Sequence, residues 1–434
     1  MGLGSIGRAL AHRNYRLFFF GQGISLIGTW MQQVAMTWLV YRLSGSPFLL
    51  GLVGFCGQIP AFVASPVAGV LTDRWDRHRT LMVTQSLAML HALLMTVLAL
   101  SGLITVWQIV VLAIVLGFVN AFDMPTRQAF VVDMVEDRAH LGNAIALNSS
   151  MFNGARLIGP SLAGFLIALW GEWACFLLNA VSYLAVLIAL MAMRVTPRTV
   201  AAESGPILRG LREGFSYAFG SPPIRTILSL VALVSLAAMP LAVLMPVLAG
   251  DVLHGGPNTL GMLTAASGFG ALAGALFLAS RKSVIGLGRL MAMMTGLLGV
   301  STVGVSCSRV LEVSLGLLVL TGFAMMVQLA ASNTVLQTIV EEDKRGRVMS
   351  LYAMAFMGMA PVGSLLAGGL ASTMGTPLTL AISGVVCVIG GLAFAAKLPS
   401  LRKIIRPIYE RAGILPNISS SIQSTAQLTV PPES

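Results

Sequence analysis

The chain has 434 residues, of which 56% are apolar and only 10% charged, with a formal net charge of +11. A water-soluble domain carries about a quarter charged residues, so this composition argues against a soluble architecture. It argues against nucleic-acid binding too, because Lys and Arg punctuate the ends of apolar runs instead of gathering along one stripe. Cys56, Cys175, Cys307 and Cys387 are isolated in or beside apolar runs, with no spacing that suggests a metal site or a disulfide framework.

Twelve apolar runs follow one another, roughly at 17–41, 48–71, 80–101, 104–124, 143–169, 173–193, 224–250, 257–280, 284–306, 311–337, 347–373 and 376–396. A bilayer crossing needs about 20 such residues. The N-terminus is polar and basic up to Arg16, and no small-residue cleavage site follows the first run, which is expected to be a retained span. Basic residues collect in the connections after even-numbered spans: Arg74, Arg77 and Arg79; Arg127 and Arg138; Arg194, Arg198, Arg209, Arg212 and Arg225; Arg281, Lys282 and Arg289; Lys344, Arg345 and Arg347. The opposite face has only Arg42 and Arg309. The positive-inside rule therefore places both termini in the cytoplasm.

In chain order, span one carries Gln22, Ser25, Thr29, Gln32 and Gln33 near one helical stripe, beside Trp30 and Trp38. Such a stripe either faces water or a ligand, or hydrogen-bonds to neighbouring helices. Between spans two and three lies the densest charge cluster of the first half, Gly69-Val-Leu-Thr-Asp73-Arg74-Trp-Asp76-Arg77-His78-Arg79, a tight charged turn at a membrane face. Asp73 is able to meet the N-terminus of another helix, which carries about half a positive charge. His91 falls near the middle of span three, as a packing residue or a proton carrier, and Asp123 and Asp251 lie at span ends.

Span five contains Gly154-Ala-Arg156-Leu-Ile-Gly159-Pro160-Ser-Leu-Ala-Gly164. Small residues let two backbones approach closely in lipid, and Pro160 removes one helix donor. Span eight offers a matching face in Gly261, Gly268, Gly270 and Gly274. Arg156 lies about 20 Å along its span at 1.5 Å per residue, near mid-bilayer, with no carboxylate at that depth to pair with. It either binds an anionic group on a substrate or hydrogen-bonds carbonyls and water. Span ten adds Gln328, Asn333 and Gln337, and span eleven Met354, Met357 and Met359.

The stretch from Val195 to Pro223 is the longest internal polar connection, and its Ile207–Tyr217 part has the spacing of an interfacial helix. Leu141-Gly-Asn with Gly159-Pro-Ser-Leu-Ala-Gly164 recurs as Arg345-Gly-Arg with Gly363-Ser-Leu-Leu-Ala-Gly368, at one common offset of 204 positions (142 to 346, 159 to 363). The expected division is a six-helix bundle over 1–194, a cytoplasmic linker over 195–223, a second bundle over 224–397 and a disordered tail over 398–434.

The Gly69–Arg79 turn resembles the loop between helices two and three of the major facilitator superfamily at Gly69, Asp73, Arg74, Arg77 and Arg79, and departs from it at Asp76 and His78. The span-five motif resembles the one associated with antiporters of that superfamily, with Ala163 in place of one Gly. With the stretches Pro125–Asn148 and Gln337–Tyr352, these motifs are similar to the branch holding the enterobactin exporter and related bacterial drug exporters. The resemblance implies an all-α membrane fold of twelve helices in two pseudo-symmetric halves. It implies a latch in which, in the outward-open state, Asp73 faces the start of span eleven with Arg77 reaching Asp123 at the end of span four, and a cavity lined by spans one, four, seven and ten. The function it implies is export of an amphipathic small molecule, a drug or siderophore, exchanged for protons across the bacterial inner membrane by a monomer without cofactors. Gln22, Thr29, Gln32, Gln33, Arg156, Gln328 and Asn333 are the cavity candidates, and His91, Asp123 and Asp251 the coupling candidates. Uptake symport and lysophospholipid flipping are the alternatives within the fold. A membrane-embedded enzyme would need clustered catalytic groups, whereas the five His are scattered, and no phosphate-binding loop is present.

Overall fold

The computed structural model describes residues 8–135, 140–194, 215–281, 283–411 and 414, without the side chains of Pro66, Val70, Asp73 and Arg411. Arg138, Arg198, Arg209, Arg212, Lys282 and most of the expected linker helix therefore lie outside the described residues, as does the side chain of Asp73. A 3-10 turn, Arg8–Ala11, leads into twelve long helices: α1 Arg13–Ser44, α2 Pro47–Arg74, α3 Arg77–Leu100, α4 Val106–Met134, α5 Leu141–Trp170, α6 Glu172–Ala192, α7 Pro222–Val247, α8 Pro257–Ser280, α9 Leu287–Cys307, α10 Leu311–Ile339, α11 Arg345–Met374 and α12 Thr376–Arg411. Eleven are long and apolar enough to cross a membrane; α1 falls short of that measure, and it is the helix with the polar stripe. The described residues contain no strand.

Local chemistry sets the helix ends. Gly45 ends α1 with a φ of 59°, the left-handed conformation that a residue without Cβ adopts without strain. Ser46 then accepts from the Leu49 amide with Pro47 in the first turn, so α2 begins at once. Asp76, where the Gly69–Arg79 turn departs from the superfamily pattern, is the N-cap of α3 and accepts from the Arg79 amide at 2.8 Å. Thr105 and Gln108 form a capping box at the start of α4.

Two expected helix ends are corrected. Helix α4 does not stop near 124 but runs through Met134, which puts Asp123 and Arg127 inside it, joined as an i,i+4 ion pair. Such a pair keeps a charged turn helical instead of ending it. Helix α12 continues through Arg411, so residues 398–411, expected as the start of a disordered tail, are helical. Leu401 is buried there, and Leu398, Ile405 and Ile408 pack on the same core, which anchors the extension.

Helices α1–α6 and α7–α12 form two halves with the same pattern of neighbours. In the first, α1 packs on α5 and α6, α2 on α4, and α3 on α4 and α6; in the second, α7 packs on α11 and α12, α8 on α10, and α9 on α10 and α12. The main joints between halves are α2 with α11 and α5 with α8. At the face carrying the α1–α2 and α7–α8 connections, one core draws on both halves, with Trp38, Leu39 and Leu50 beside Leu244, Leu260 and Leu263. At the opposite, Arg-rich face the cores separate. One holds Tyr15, Phe18, Phe130 and Leu190 of the first half, and the other Ile227, Met291, Val335 and Phe394 of the second. The halves are joined at one face and splayed at the other.

Candidate functional site

The joined face is held by backbone-on-backbone contact at small residues. A Cβ on Gly164 would come within 2.8 Å of the Pro257 carbonyl oxygen and 3.1 Å of Gly261 Cα. One on Gly261 would sit 2.7 Å from the Pro160 carbonyl oxygen. The other joint is its counterpart: Gly368, the repeat mate of Gly164, lies against Gly51 and the Pro47 carbonyl. Helices without side chains at the crossing approach at backbone distance, the packing available in lipid.

Both joints run from the joined face to about the middle of the bundle. On α5 and α8 the contact reaches Gly268, where a Cβ would lie 3.0 Å from the Arg156 carbonyl oxygen; on α2 and α11 it reaches Gly358 against the Phe62 ring. Beyond that depth Gly154 faces open space. The small-residue face of α8 is divided in two. Gly261 and Gly268 meet α5, whereas Gly270 and Gly274 meet α10 at Val319 and Phe323. Gly159 packs inside its own half, against Trp30 and the Ile27 carbonyl of α1.

A polar strut adds to the joined face. Tyr41, near the end of α1, donates to Asp251 Oδ1 at 2.5 Å across the halves. Asp251 sits in a π-helical turn, Leu248–Val252, that prolongs α7, and Gly250 leaves room there for the Tyr41 hydroxyl. Nothing local in the sequence couples residues so far apart, so Tyr41 was not among the expected site residues. On the same face Arg42 pairs with Glu172 at 2.7 Å within the first half.

At the splayed face the charged turn is held within the first half. Arg77 does not reach Asp123; it pairs with Asp133 at 2.8 Å and donates to the Ala129 carbonyl at 3.4 Å. The reason is the length of α4, whose last turns bring Asp133 level with the start of α3. Asp123 is enclosed by its own half, where Arg127, Thr84 and Gln85 all donate to its carboxylate. Arg74 is exposed, and Gly69 meets no crowding neighbour. At the start of α11, Lys344 pairs with Glu341 at 2.6 Å and lies over the Tyr217 ring at 4.7 Å. The Glu341 carboxylate holds the Lys344 ammonium above its ordinary pKa.

The polar stripe of α1 divides into two faces. Gln32 is buried, takes a hydrogen bond from Asn179 of α6 at 2.8 Å and lies 3.4 Å from His91 Nδ1 of α3. Gln22 and His91 are buried as well, so Gln22, Gln32 and His91 belong to the interior of the first half and not to an open cavity. Thr29 and Gln33 are exposed. On α10, Gln328 is buried and donates to Ser332 of its own helix at 3.2 Å, whereas Asn333 accepts from the exposed Gln337. The Arg156 guanidinium lies 5.7 Å from the centroid of Trp30, and no described carboxylate pairs with it. A guanidinium over an indole face is a cation–π contact, which keeps its hydrogen-bond donors free. Arg156 thus stands at the inner edge of the α5–α8 joint, where the halves begin to part.

The family model described as transmembrane secretion effector matches residues 8–407. The chain belongs to that family of the major facilitator superfamily. It is 26% identical to the staphyloferrin A transporter of Staphylococcus aureus, over 86% of this chain and 94% of that protein. It is 29% identical to the multidrug efflux pump Tap of Mycolicibacterium fortuitum, over 88% and 93%. With the enterobactin exporter EntS of Citrobacter koseri it shares 26% identity over 91% and 94%. Among solved structures, the nucleoside transporter NupG aligns with a TM-score of 0.72 at 11% identity, covering 90% of this chain and all of that one. A bacterial homologue of the iron transporter ferroportin, in an inward-facing state, aligns at 0.68 and 16% identity, over 88% and 98%. The chain is a multi-pass membrane transporter of the major facilitator fold, not an enzyme.

Proposed function

We propose that this transporter is a secondary exporter of an amphipathic organic molecule of the drug or siderophore class. It works by alternating access in exchange for protons, in the bacterial inner membrane with both termini in the cytoplasm. The observation that carries the reading is the single shared core at one face and the two separate cores at the other. By the positive-inside rule the Arg-rich, splayed face is cytoplasmic, so this is the inward-facing state. Transport then consists of rocking about the α2–α11 and α5–α8 joints, which lets the cytoplasmic ends meet while the outer ends part.

The open-facing polar groups, Thr29, Gln33, Arg156, Asn333 and Gln337, are the binding candidates in this state. Arg156 suits an anionic group such as a carboxylate, and the Trp30 and Phe152 rings next to it, at 5.8 Å from each other, suit an aromatic or lipophilic part. The drug and siderophore transporters among the relatives support that class of cargo. For coupling, a carrier must change its surroundings during rocking. His91 and Asp123 are locked in one half, whereas Asp251 joins the two halves and loses Tyr41 when they part.

Cells lacking their own exporters test this reading. Expression of the transporter lowers accumulation of a lipophilic fluorescent dye, and a protonophore removes the difference. Equal accumulation with and without the protein, across a panel of amphipathic dyes, contradicts export.

A further inference from the structure

A second cavity, of about 510 Å³, lies on the far side of the second half, away from the joints. Its floor is apolar: Ile227 of α7, Met291 of α9, Val335 of α10 and Phe394 of α12. One wall is the extension of α12, which presents Leu398, Leu401 and Ile405 inward. The other is the turn into α9, where Gly286, at a φ of 85°, and Gly288 carry no side chain to fill the mouth. The rim is basic, with Arg289, Arg402 and Arg406 all lining the same space. Arg406 is engaged by Glu410 at 2.9 Å, but no described carboxylate pairs with Arg289 or Arg402, and both are exposed.

We propose that this cavity binds one anionic glycerophospholipid from the leaflet at the splayed face. Arg289 and Arg402 hold its phosphate, and the apolar floor takes the glycerol end of an acyl chain. Three features of the cavity select this occupant. The polar lining side chains are confined to the rim, which matches an amphiphile and leaves nothing in the floor to recognise a peptide or a sugar. Two guanidiniums, Arg289 and Arg402, line the same space, and guanidiniums bind phosphate through charge-assisted hydrogen bonds. Helices α9 and α12 have α7, α10, α11 and each other as their main neighbours, so the mouth opens at the bilayer surface and not into the path between the halves. A solvated basic rim that only sets topology would not need a cavity of ligand size beneath it; ligand pockets run from about 300 to 1,000 Å³. The inference rests on the membrane fold alone and stands apart from the export reading.

The test is native mass spectrometry of the full chain in detergent, titrated with phosphatidylglycerol or phosphatidylcholine of the same acyl chains. The wild type is expected to retain one phosphatidylglycerol in preference to phosphatidylcholine. Arg289→Gln with Arg402→Gln should weaken that binding roughly tenfold or more, as loss of charge-assisted hydrogen bonds does. Arg289→Lys with Arg402→Lys should keep a large part of it. Equal retention of the two lipids by the wild type overturns the proposal, and so does unchanged preference in the Gln pair. Displacement of the lipid by glycerol phosphate at equal concentration also overturns it, since it would make the cavity a site for a soluble anion. Dye export by the same variants reports separately on the transport reading.

Discussion

Gly164→Val tests whether the α5–α8 joint holds the joined face shut. The new Cβ would lie 2.8 Å from the Pro257 carbonyl oxygen, 3.1 Å from Gly261 Cα and 3.2 Å from Asn258 Cα. All three are backbone atoms and have no rotamer by which to move aside. Overpacking of this kind costs about 1–3 kcal/mol. The cost falls on the state in which the joint is closed, so it shifts the balance toward a state open at this face by about 5- to 150-fold. The assay is a spin-label distance measurement between Leu43→Cys on α1 and Gly256→Cys before α8, after replacement of Cys56, Cys175, Cys307 and Cys387. Leu43 is exposed, and a side chain at Gly256 meets nothing within 4 Å. Gly164→Val should move a large share of the population to the longer distance. Gly154→Ala, at a position with open space around it, should leave the distribution as it is. An unchanged distribution in folded Gly164→Val protein would refute the claim that this contact closes the face.

Removing the strut by Tyr41→Phe or Asp251→Asn should shift the same distance in the same direction, because a hydrogen bond to a charged group contributes about 1.5–3 kcal/mol. A double-mutant cycle on Arg77 and Asp133 should show coupling of about 0.5–3 kcal/mol in thermal unfolding, while the cycle on Arg77 and Asp123 should show close to none. Arg156→Gln should weaken an anionic ligand far more than a neutral one of similar size, and Arg156→Lys should rescue only part, since Lys lacks the planar fork; equal losses for the two ligands remove Arg156 from the binding site. His91→Gln should lower thermal stability and leave the pH profile of transport in place; loss of that profile would return His91 to the coupling candidates.

Most of the fold was legible because the bilayer imposes it. Runs of about 20 apolar residues, charge bias between connections and the recurrence of Gly159–Gly164 at Gly363–Gly368 each follow from one-dimensional pattern. The ends of α4 and α12 were not legible, because both helices outrun their apolar stretch. One does so on an Arg127–Asp123 pair, the other on the burial of Leu401 in the core of the second half. The stripe of α1 was visible but not its division, since whether Gln32 faces Asn179 or open space depends on where α6 packs. The pairs Arg77–Asp133 and Tyr41–Asp251 depend on the register of helices that meet only in three dimensions. Sequence spacing therefore located the charged turn, and the glycine face with its α8 partner at Gly261 and Gly268, but not the ion-pair partners of the turn.

The most direct test of the central claim is transport by the purified protein in proteoliposomes with an imposed pH gradient, one amphipathic siderophore or dye as cargo and a trapped pH indicator. The account predicts cargo movement against its own gradient, opposite to a measurable proton flux, with both stopped by collapse of the gradient. Cargo movement that ignores the pH gradient, or runs in the same direction as the protons, would contradict it.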